Sequence, residues 1–248
     1  MSRHLPEFGL RLAGSEADRR AAQALRFRVF VEELGATGPG VDREVGLETD
    51  PWDPFCDHLL VTDVLRGGEV AATCRLLDAE GARRAGGFAC EAEFDLRALR
   101  GSGRRLLEVG RVCVAPAHRN GAALHRLWQG IAQVAAARGA EVLFGAASFA
   151  GTDLAALAQP LSALHHDHLA PEPLRPVSRD GPWSPLPPEA VDRRAAMLAL
   201  PPLVKAYLRL GGRVGLGPCV DRAFGCTDLC MVLDTGALSP AARAFVLP

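Results

Sequence analysis

One segment constrains the fold of this chain more than any other: an apolar run, a proline-marked turn and an amphipathic helix in direct succession. The run Leu106–Val114 carries a single glutamate and a single arginine. A turn at 115–118 follows, and a loop at 119–123 with asparagine and glycine opens the helix. Apolar residues then recur at three- and four-residue intervals, as on the core-facing side of a helix. They are Leu124, Leu127, Trp128, Ile131, Val134 and Ala135.

The remaining apolar runs predict a mixed sheet interrupted by helices. Runs typical of strands lie at 8–13, 58–65, 70–77, 141–147 and 226–234. The second and third of these predict a β-hairpin, because an Arg-Gly-Gly turn separates them. Helical spacing begins after Ser15, a good N-cap residue, and ends at Gly35. A further helix, interrupted or entered at the prolines 201 and 202, is expected over about 188–212.

Two stretches are harder to assign to regular structure. Residues 36–55 are rich in glycine, proline and aspartate and predict a long loop. A loop of that length is more often functional than idle. Residues 83–100 predict a short strand and a short helix around 91–99. We therefore expect one α/β domain over residues 1–248, with a mixed central sheet flanked by helices.

Composition excludes several classes of protein. The chain has 248 residues, 48% hydrophobic and 23% charged, as in ordinary globular proteins. Its formal net charge of −1 gives no electrostatic basis for binding nucleic acid. Its seven cysteines form no C-x-x-C pair, which indicates a reducing compartment rather than a disulfide framework. Neither a signal-peptide core nor a run of the ~20 apolar residues that cross a bilayer is present, so we expect a soluble cytoplasmic protein.

Glu108 and Arg111 are the charged residues of the central run. Alternate residues share a face of a strand, so these two point to opposite sides unless a bulge, for which Gly110 is suited, lies between them. A glutamate buried in an apolar strand needs a partner or a function. Either it pairs with an arginine at a strand edge, or it is a general base that takes a proton from an attacking ammonium group. The sequence leaves both alternatives open.

The loop after the central strand predicts an anion site. Its residues Arg119, Asn120, Gly121 and Ala122 stand where a helix begins. Free N–H groups at a helix N-terminus, together with the helix dipole, favour a phosphate oxygen. The bare pattern is a weak signal, and its position directly after a strand and a turn strengthens it.

Two aspartates close the long early loop. Asp53 and Asp57 bracket its end, where a carboxylate is placed to bind a cationic substrate side chain. The same carboxylates can instead pair with Arg26 and Arg75 and so fix the loop. The ion pair is the simpler interpretation, and substrate contact is kept as the alternative.

Polar residues also follow the buried strand at 141–147. Ser148, Thr152 and Asp153 occupy a usual position for ligand contact in open α/β sheets, although the last two equally suit the cap of the next helix. Residues 165–168 read His-His-Asp-His. Adjacent residues rarely ligate one ion, so we expect hydrogen bonds at a helix end there rather than a metal site.

Several of these motifs resemble those of the GCN5-related N-acyltransferase superfamily. The Arg-Asn-Gly-Ala-Ala loop at 119–123 resembles its acyl-donor loop in a shortened form. Residues 26–30, Arg-Phe-Arg-Val-Phe, resemble the R-x-x-V-F element of acyl-homoserine-lactone synthases and N-acyl amino acid synthases. The Glu-x-x-Arg of the central strand and the Arg-Leu pair at 75–76 match strand motifs of the same group. The likeness makes three residues candidates for substrate binding: Arg26, Phe30 and Arg75.

The likeness extends over about 8–235 to one family, the ornithine N-acyltransferases that make lyso-ornithine lipid. Matching segments lie at 57–61, 86–88, 93–96, 143–149, 164–171 and 200–211. Several long matches in register are more specific than any single motif. The resemblance implies a GCN5-related N-acyltransferase-like fold with a family-specific insertion at about 150–215.

The resemblance also implies a mechanism. A 3-hydroxyacyl chain would arrive on the phosphopantetheine of acyl carrier protein, with a CoA thioester as the alternative donor and no tightly bound cofactor or metal. Glu108 would accept the proton of the ornithine α-amine, and Arg111 would hold the strand or a substrate carboxylate. Backbone N–H groups that would polarise the thioester carbonyl belong to Val112, Cys113 and Val114. Residues that would hold the phosphate are Arg119, Asn120, Gly121 and Ala122.

Other activities stay open at this level. An N-acyl amino acid synthase with a different amine acceptor is the nearest alternative, and a non-catalytic acyl-binding module of the same fold belongs to another class. The helix around 193–213 mixes Arg194, Lys205, Arg209 and Arg213 with an apolar face. Such a face fits an acidic carrier protein or a membrane surface as well as it fits an ordinary surface helix. Peripheral contact with the inner membrane face is therefore allowed.

Overall fold

The structure, a computed structural model that describes residues 7–246, is built around one large mixed sheet. The strands of the whole structure are β1 (Phe8–Leu12), β2 (Val41–Asp42), β3 (Leu47–Glu48), β4 (Asp57–Asp63), β5 (Glu69–Asp78), β6 (Phe94–Asp95), β7 (Leu106–Val114), β8 (Val142–Ala150), β9 (Val177–Ser178), β10 (Arg213–Val214), β11 (Cys219–Asp221) and β12 (Cys226–Asp234). Its α-helices are α1 (Glu16–Arg26), α2 (Ala79–Ala85), α3 (Arg97–Gly101), α4 (Ala122–Ala137), α5 (Ala158–His168), α6 (Arg193–Ala199), α7 (Pro202–Arg209) and α8 (Pro240–Val246). A π-helical stretch (Phe27–Glu33) continues α1.

Eight strands form the main sheet, in the order β1-β4-β5-β7-β8-β12-β10, with β11 beside part of β12. Neighbouring strands are antiparallel, apart from β7 and β8, which run parallel. The predicted hairpin is β4 and β5. The mixed sheet flanked by helices, expected from the sequence, is therefore confirmed.

Strands β7 and β8 separate partway along their length. Their pairing ends at Glu108 opposite Phe144, after which β7 continues along β5 and β8 along β12. Gly145 lies at this point, and a Cβ there would stand 2.0 Å from the carbonyl oxygen of Val109. Only glycine permits so close an approach of the two backbones. Beyond it a wedge-shaped gap opens between the strands.

Both faces of the sheet are covered. Helix α4 lies on one face, where its predicted stripe buries Leu127, Trp128 and Ile131 in the largest apolar cluster. The Trp128 ring meets Tyr207 edge-on, with centroids 4.8 Å apart, which ties α7 to the same core. The opposite face packs Phe144 against Phe88 and other side chains of the segment between β5 and β7. Each such side chain contributes about 1.5–3 kcal/mol on burial.

Several element boundaries differ from the predicted ones. The expected helix over 188–212 is two helices, α6 and α7, because Leu200 takes an extended conformation before two prolines. The segment 83–100 was expected to hold a strand and a helix. It does hold both, the two-residue β6 and the short α3, and it also contains the end of α2 and a 3₁₀ turn (Ala89–Ala92) that the sequence did not indicate. The early loop contains the small β2–β3 hairpin.

The connection from β8 to β10 carries the stretch predicted as an insertion. Helices α5 and α6 pack against each other, and α7 packs on β12. Within residues 7–246, no helix has both the length and the apolar character needed to span a bilayer.

Candidate active site

A β-bulge in β7 shapes the entrance of the wedge-shaped gap. The register against β5 slips between Gly110 and Cys113, so Arg111 and Val112 together face one residue of β5. Arg111 has a φ of 52°, and no other non-glycine residue in the described chain has a positive φ. The sequence suggested a bulge at Gly110, and it lies one residue further on. Because of it, Arg111 and Glu108 line the same cavity rather than opposite faces of the sheet.

The gap continues into a cavity of about 580 Å³, a size typical of small-molecule sites. Predicted site residues on its wall are Phe30, Arg75, Glu108, Arg111, Val112, Cys113, Val114, Arg119, Gly121 and Ser148. Predicted residues that are not on that wall, within the described chain, are Arg26, Asp53, Asp57, Asn120, Ala122, Thr152 and Asp153. One part of the wall is apolar, with Val29, Leu34, Leu124 and Leu203, and another is strongly acidic.

Glu108 lies where the two strands part, and only 3% of it is exposed. Its carboxylate oxygens accept hydrogen bonds from the N–H groups of Ala89 (2.8 Å) and Cys90 (3.0 Å). Burial raises the pKa of Glu108, and Arg75 with these two amides opposes the rise. A carboxylate has about four acceptor sites, so further sites are left for a substrate proton. A buried carboxyl with a raised pKa at the cavity wall has the chemistry of a general base.

A buried ion network stands beside the cavity. It joins three arginines to three carboxylates, namely Arg26, Arg75, Arg111, Glu48, Asp50 and Asp53. Arg26 donates to both oxygens of Asp53, at 2.8 and 3.0 Å, and its Nε contacts Glu48. Burial opposes the charge of Asp53, yet Arg26 holds the pKa of this carboxyl well below its usual range. This arrangement favours the ion-pair interpretation of Asp53 over substrate contact.

Three residues of the network, Asp50, Arg75 and Arg111, also line the cavity. Arg75 contacts Asp50 and lies 3.3 Å from Asp53 Oδ1. Arg111 donates from Nε to Glu48 at 3.3 Å, and its Nη2 is 3.1 Å from Asp50. Its guanidinium also lies over the ring of Phe224, 4.9 Å from the centroid. The network therefore fixes the wall against which a substrate would bind.

The predicted residues Asp57, Ser148, Thr152 and Asp153 differ in whether they line the cavity. Asp57 forms an ion pair with Arg138 at the end of α4. Asp153 accepts a hydrogen bond from Ala155 N at 2.9 Å in the turn before α5. It does not cap that helix, as the structural alternative expected, because the N-cap residue of α5 is Leu157. Thr152 is exposed. Ser148 alone of this group faces the cavity, directly opposite Asp228 of β12.

The histidine run forms the end of α5, as expected. His166 Nε2 lies 2.8 Å from the carbonyl oxygen of Leu186, and Asp167 pairs with Arg193 at 2.9 Å. Within residues 7–246, metal-type ligand atoms converge at a different place, which includes Asp228. The run thus joins α5 to α6 and to the preceding loop.

The predicted donor loop begins α4. Gly121 has a φ of 92° and is the N-cap residue, and Asn120 Oδ1 accepts a hydrogen bond from Ala122 N at 3.1 Å. The first N–H groups of any helix lack partners within it. Asn120 accepts a hydrogen bond from one of them, and Gly121 and Leu124 at this end of α4 line the cavity.

Arg119 is committed to protein partners. Its guanidinium pairs with Glu33, with Nη2 2.7 Å from Oε2, and its Nε donates to the carbonyl oxygen of Val114 at 3.1 Å. In a strand the N–H and C=O of one residue point to the same side. Since the Val114 carbonyl points to Arg119 rather than to β5, its N–H also points into the gap. A ligand carbonyl would find an unused strand edge there.

The acidic part of the wall contains three residues that sequence reasoning missed. Glu93, Asp221 and Asp228 come from the end of the 3₁₀ turn, from β11 and from β12. Burial raises the pKa of Glu93 to about 8, and the neighbouring Asp228 adds to the rise. Burial likewise raises the pKa of Asp228. For Asp228 a signal existed, because it is a charged residue that interrupts an apolar run, as Glu108 is.

Comparison with known proteins gives concordant results. Residues 25–129 match the family model described as an acetyltransferase (GNAT) domain. A curated L-ornithine N(alpha)-acyltransferase from Rhodobacter capsulatus is 52% identical over 243 residues, which cover 96% of this chain and 94% of that protein. The crystal structure of the AHL synthase LasI superposes with a TM-score of 0.54 at 12% identity, over 98% of both chains. FeeM, an N-acyl amino acid synthase from uncultured soil microbes, gives 0.53 at 14%, over 97% of this chain and 99% of its own.

At such low identity the two solved structures establish the common fold alone. The family model and the Rhodobacter capsulatus relative define the class of this protein, an acyltransferase of the GNAT fold. High identity along almost the whole chain goes further. This chain belongs to the family of L-ornithine N(alpha)-acyltransferases.

Proposed function

We propose that this enzyme transfers a 3-hydroxyacyl chain from the phosphopantetheine of acyl carrier protein to the α-amine of L-ornithine, giving lyso-ornithine lipid. One observation carries the proposal: a single cavity joins the buried carboxyl of Glu108 to the unused strand edge at Val114. The name of the Rhodobacter capsulatus relative supports both the acceptor and the position of the acylated amine.

Glu108 starts the reaction by taking one proton from the α-ammonium group of the acceptor. The free amine attacks the thioester carbonyl, and the C–N bond forms. The N–H of Val114 donates to the oxyanion of the tetrahedral intermediate. The intermediate collapses with cleavage of the C–S bond, and a second amine proton ends on the departing thiolate. No covalent bond to the protein is required.

The acyl donor is supported by the two ends of the cavity. Apolar side chains, among them Val29, Phe30 and Leu34, offer room for an alkyl chain. Gly121 and the first turn of α4 offer N–H groups for one phosphate. A single phosphodiester suits this short loop, since Arg119 is already paired with Glu33. That favours a carrier-protein donor over CoA.

The lipid product suggests a route out of the cavity. Pro201, Pro202 and Leu203 line the cavity at the start of α7. Just before them, Met197 and Leu198 of α6 are exposed, Leu198 by 72%. We place peripheral membrane contact at this apolar tip. Leu198→Glu is expected to reduce flotation with anionic phospholipid vesicles and to leave turnover of a short-chain donor intact, whereas unchanged flotation would contradict this contact.

The decisive experiment supplies the purified protein with 3-hydroxyacyl carrier protein and single amino acids. Free thiol and the mass of the lipid product are measured, with the matching CoA thioester in a parallel series. We expect α-N-acylornithine from the carrier-protein donor at the higher kcat/KM. Turnover with another amine would replace the acceptor, a higher kcat/KM with CoA would replace the donor, and no turnover with any acceptor would remove the enzymatic proposal.

A further inference from the structure

Three carboxyl groups of the cavity form no ion pair with any arginine, lysine or histidine of residues 7–246. Glu93, Asp221 and Asp228 form what we term the acid wall, and each of them lines the cavity that holds Glu108. They arrive from three different parts of the chain, the 3₁₀ turn before β6, β11 and β12. Their convergence is therefore a product of the tertiary fold rather than of local sequence.

The acid wall contains buried oxygens without a partner. Asp228 is only 4% exposed, and its Oδ1 accepts no hydrogen bond within residues 7–246. Glu93 Oε2 is likewise buried and without a donor in that range. A buried carboxylate oxygen without a hydrogen bond costs considerable free energy. Such an oxygen therefore marks a position where a ligand supplies the missing donor.

Two other buried acids of this region, unlike those of the acid wall, form ion pairs. Asp50 and Asp53 each contact arginine side chains of the buried ion network. The charge of Arg111 lowers the pKa of both Glu93 and Asp228, but this guanidinium already forms ion pairs with Glu48 and Asp50. Within residues 7–246, the acid wall thus has more carboxyl groups than cations available to pair with them.

A metal ion is the less suitable occupant. Ligand atoms of Asp221, Cys226 and Asp228 lie within 4.8 Å of one another, which would allow an ion. Burial raises the pKa of the Cys226 thiol, however, so the thiol keeps its proton at neutral pH. Two carboxylates and a protonated thiol, with Ser148 opposite Asp228, are better suited to an ammonium group, which brings several N–H donors.

We propose that the acid wall binds the side-chain ammonium of the acceptor and so makes the enzyme selective for diamino acids. This inference rests on the proposed function, because it assumes that the α-amine of the same molecule is directed at Glu108. The acceptor then bridges two acidic ends of one cavity, one that removes a proton and one that holds a charge. Asp53 and Asp57, which the sequence suggested for this role, are paired with arginines instead.

The test compares L-ornithine with norvaline, which has the same carbon chain but no side-chain amine. In Asp228→Asn and in Glu93→Gln, the ratio of kcat/KM for ornithine to that for norvaline is expected to fall about 10- to 100-fold, the loss typical of a hydrogen bond to a charged group. Glu172→Gln, an exposed acid away from the cavity, serves as the matched control and is expected to keep the wild-type ratio. Thermal unfolding of each variant verifies that it is folded.

Calorimetric binding of the two amino acids in the absence of donor separates the two proposals. Ornithine that binds the wild type more tightly than norvaline, with the difference lost in both variants, supports the acid wall even if the chosen donor is not turned over. An unchanged ratio in both variants overturns the acid wall and leaves ornithine acylation standing. Activity that is lost on chelation and restored by a divalent cation also overturns it, in favour of a metal site.

Discussion

Glu108 combines three properties in one side chain. It is buried, it is anchored by two backbone N–H groups, and it lies at the point where β7 leaves β8. The anchoring fixes its position, and burial raises its pKa. This combination explains how one carboxyl can be held rigidly and still accept a proton.

Glu108→Gln is expected to lower kcat by at least about 100-fold, because an amide cannot accept the ammonium proton. In the wild type kcat/KM should rise with pH through the raised pKa of Glu108 and then level off. The measurement is thiol release across pH for wild type, Glu108→Gln and the surface control Glu172→Gln. Release at an undiminished rate from Glu108→Gln would exclude this residue as the base.

We expect Glu93 to lower the free energy of unfolding, although we propose that it binds the acceptor. Its pKa of about 8 lies above the ordinary value of 4.5, so the folded state resists its ionisation. The free energy of unfolding of the empty protein should therefore fall as pH rises from 4.5 to 8. Glu93→Gln removes this penalty and is expected to gain about 1–3 kcal/mol at pH 8 and almost nothing near pH 4.5. Denaturant unfolding at both pH values tests this, and identical profiles would contradict it.

Single site residues were predictable where a charged side chain interrupts an apolar run of the sequence. Glu108 and Arg111 are conspicuous because they interrupt an apolar strand, and the structure brings both to one cavity. Asp228 carries the same signal and was missed, since only the sheet order reveals that β12 borders β8. Glu93 and Asp221 lie in segments with many polar residues, where no local pattern distinguishes them.

At the scale of elements, the separation of β7 and β8 determines where the site lies. A sheet that stayed paired along its length would leave no room between those strands for a substrate. Gly145 permits the close backbone contact from which the two strands diverge. The bulge at Arg111 interrupts the regular pairing of β7 with β5.

Gly145→Ala is expected to cost at least about 2 kcal/mol, because its Cβ would stand 2.0 Å from a backbone oxygen that cannot move without shifting β7. Gly110→Ala is the matched control in the neighbouring strand, where the added carbon meets its nearest atom at 3.7 Å. Chemical denaturation of the two variants gives the comparison. Equal stability of both would show that the strands can separate without this glycine.

Element types were more predictable than element boundaries. Hydrophobic spacing identified β7, β8, β12 and α4, since their side chains fill the core at regular intervals. Boundaries near 88 and 200 depend on contacts that spacing does not encode, such as the edge-to-face contact of Phe88 with Phe144. The prolines 201 and 202 indicated an interruption, and Leu200 makes it a complete break between helices.

For the whole molecule, the buried ion network links segments that are distant in sequence. It connects the end of α1, β3, the loop before β4, and strands β5 and β7. The sequence predicted that Asp53 could pair with Arg26 or Arg75. It could not reveal that Glu48, Asp50 and Arg111 complete the network, because those contacts join residues far apart along the chain.

Asp53→Asn is expected to reduce the free energy of unfolding by about 3–5 kcal/mol at neutral pH, since it leaves buried guanidinium groups unpaired. The folded-state pKa of Asp53 is depressed, so its stabilisation is present above the ordinary value and is lost as pH falls below it. Glu80→Ala breaks an exposed ion pair with Arg83 and should leave Tm unaltered. An equal change in Tm for both variants would contradict the role of the network.

The raised pKa of Glu93 in the acid wall couples acceptor binding to proton release. With a pKa of about 8, the empty Glu93 side chain holds a proton at neutral pH, and an arriving ammonium group favours its ionised form. Acceptor binding should then release a proton to the buffer, and the apparent binding enthalpy should depend on the ionisation enthalpy of that buffer. The protonated Glu93 side chain is uncharged in the empty pocket, and it becomes ionised only when a cationic molecule binds and displaces its proton.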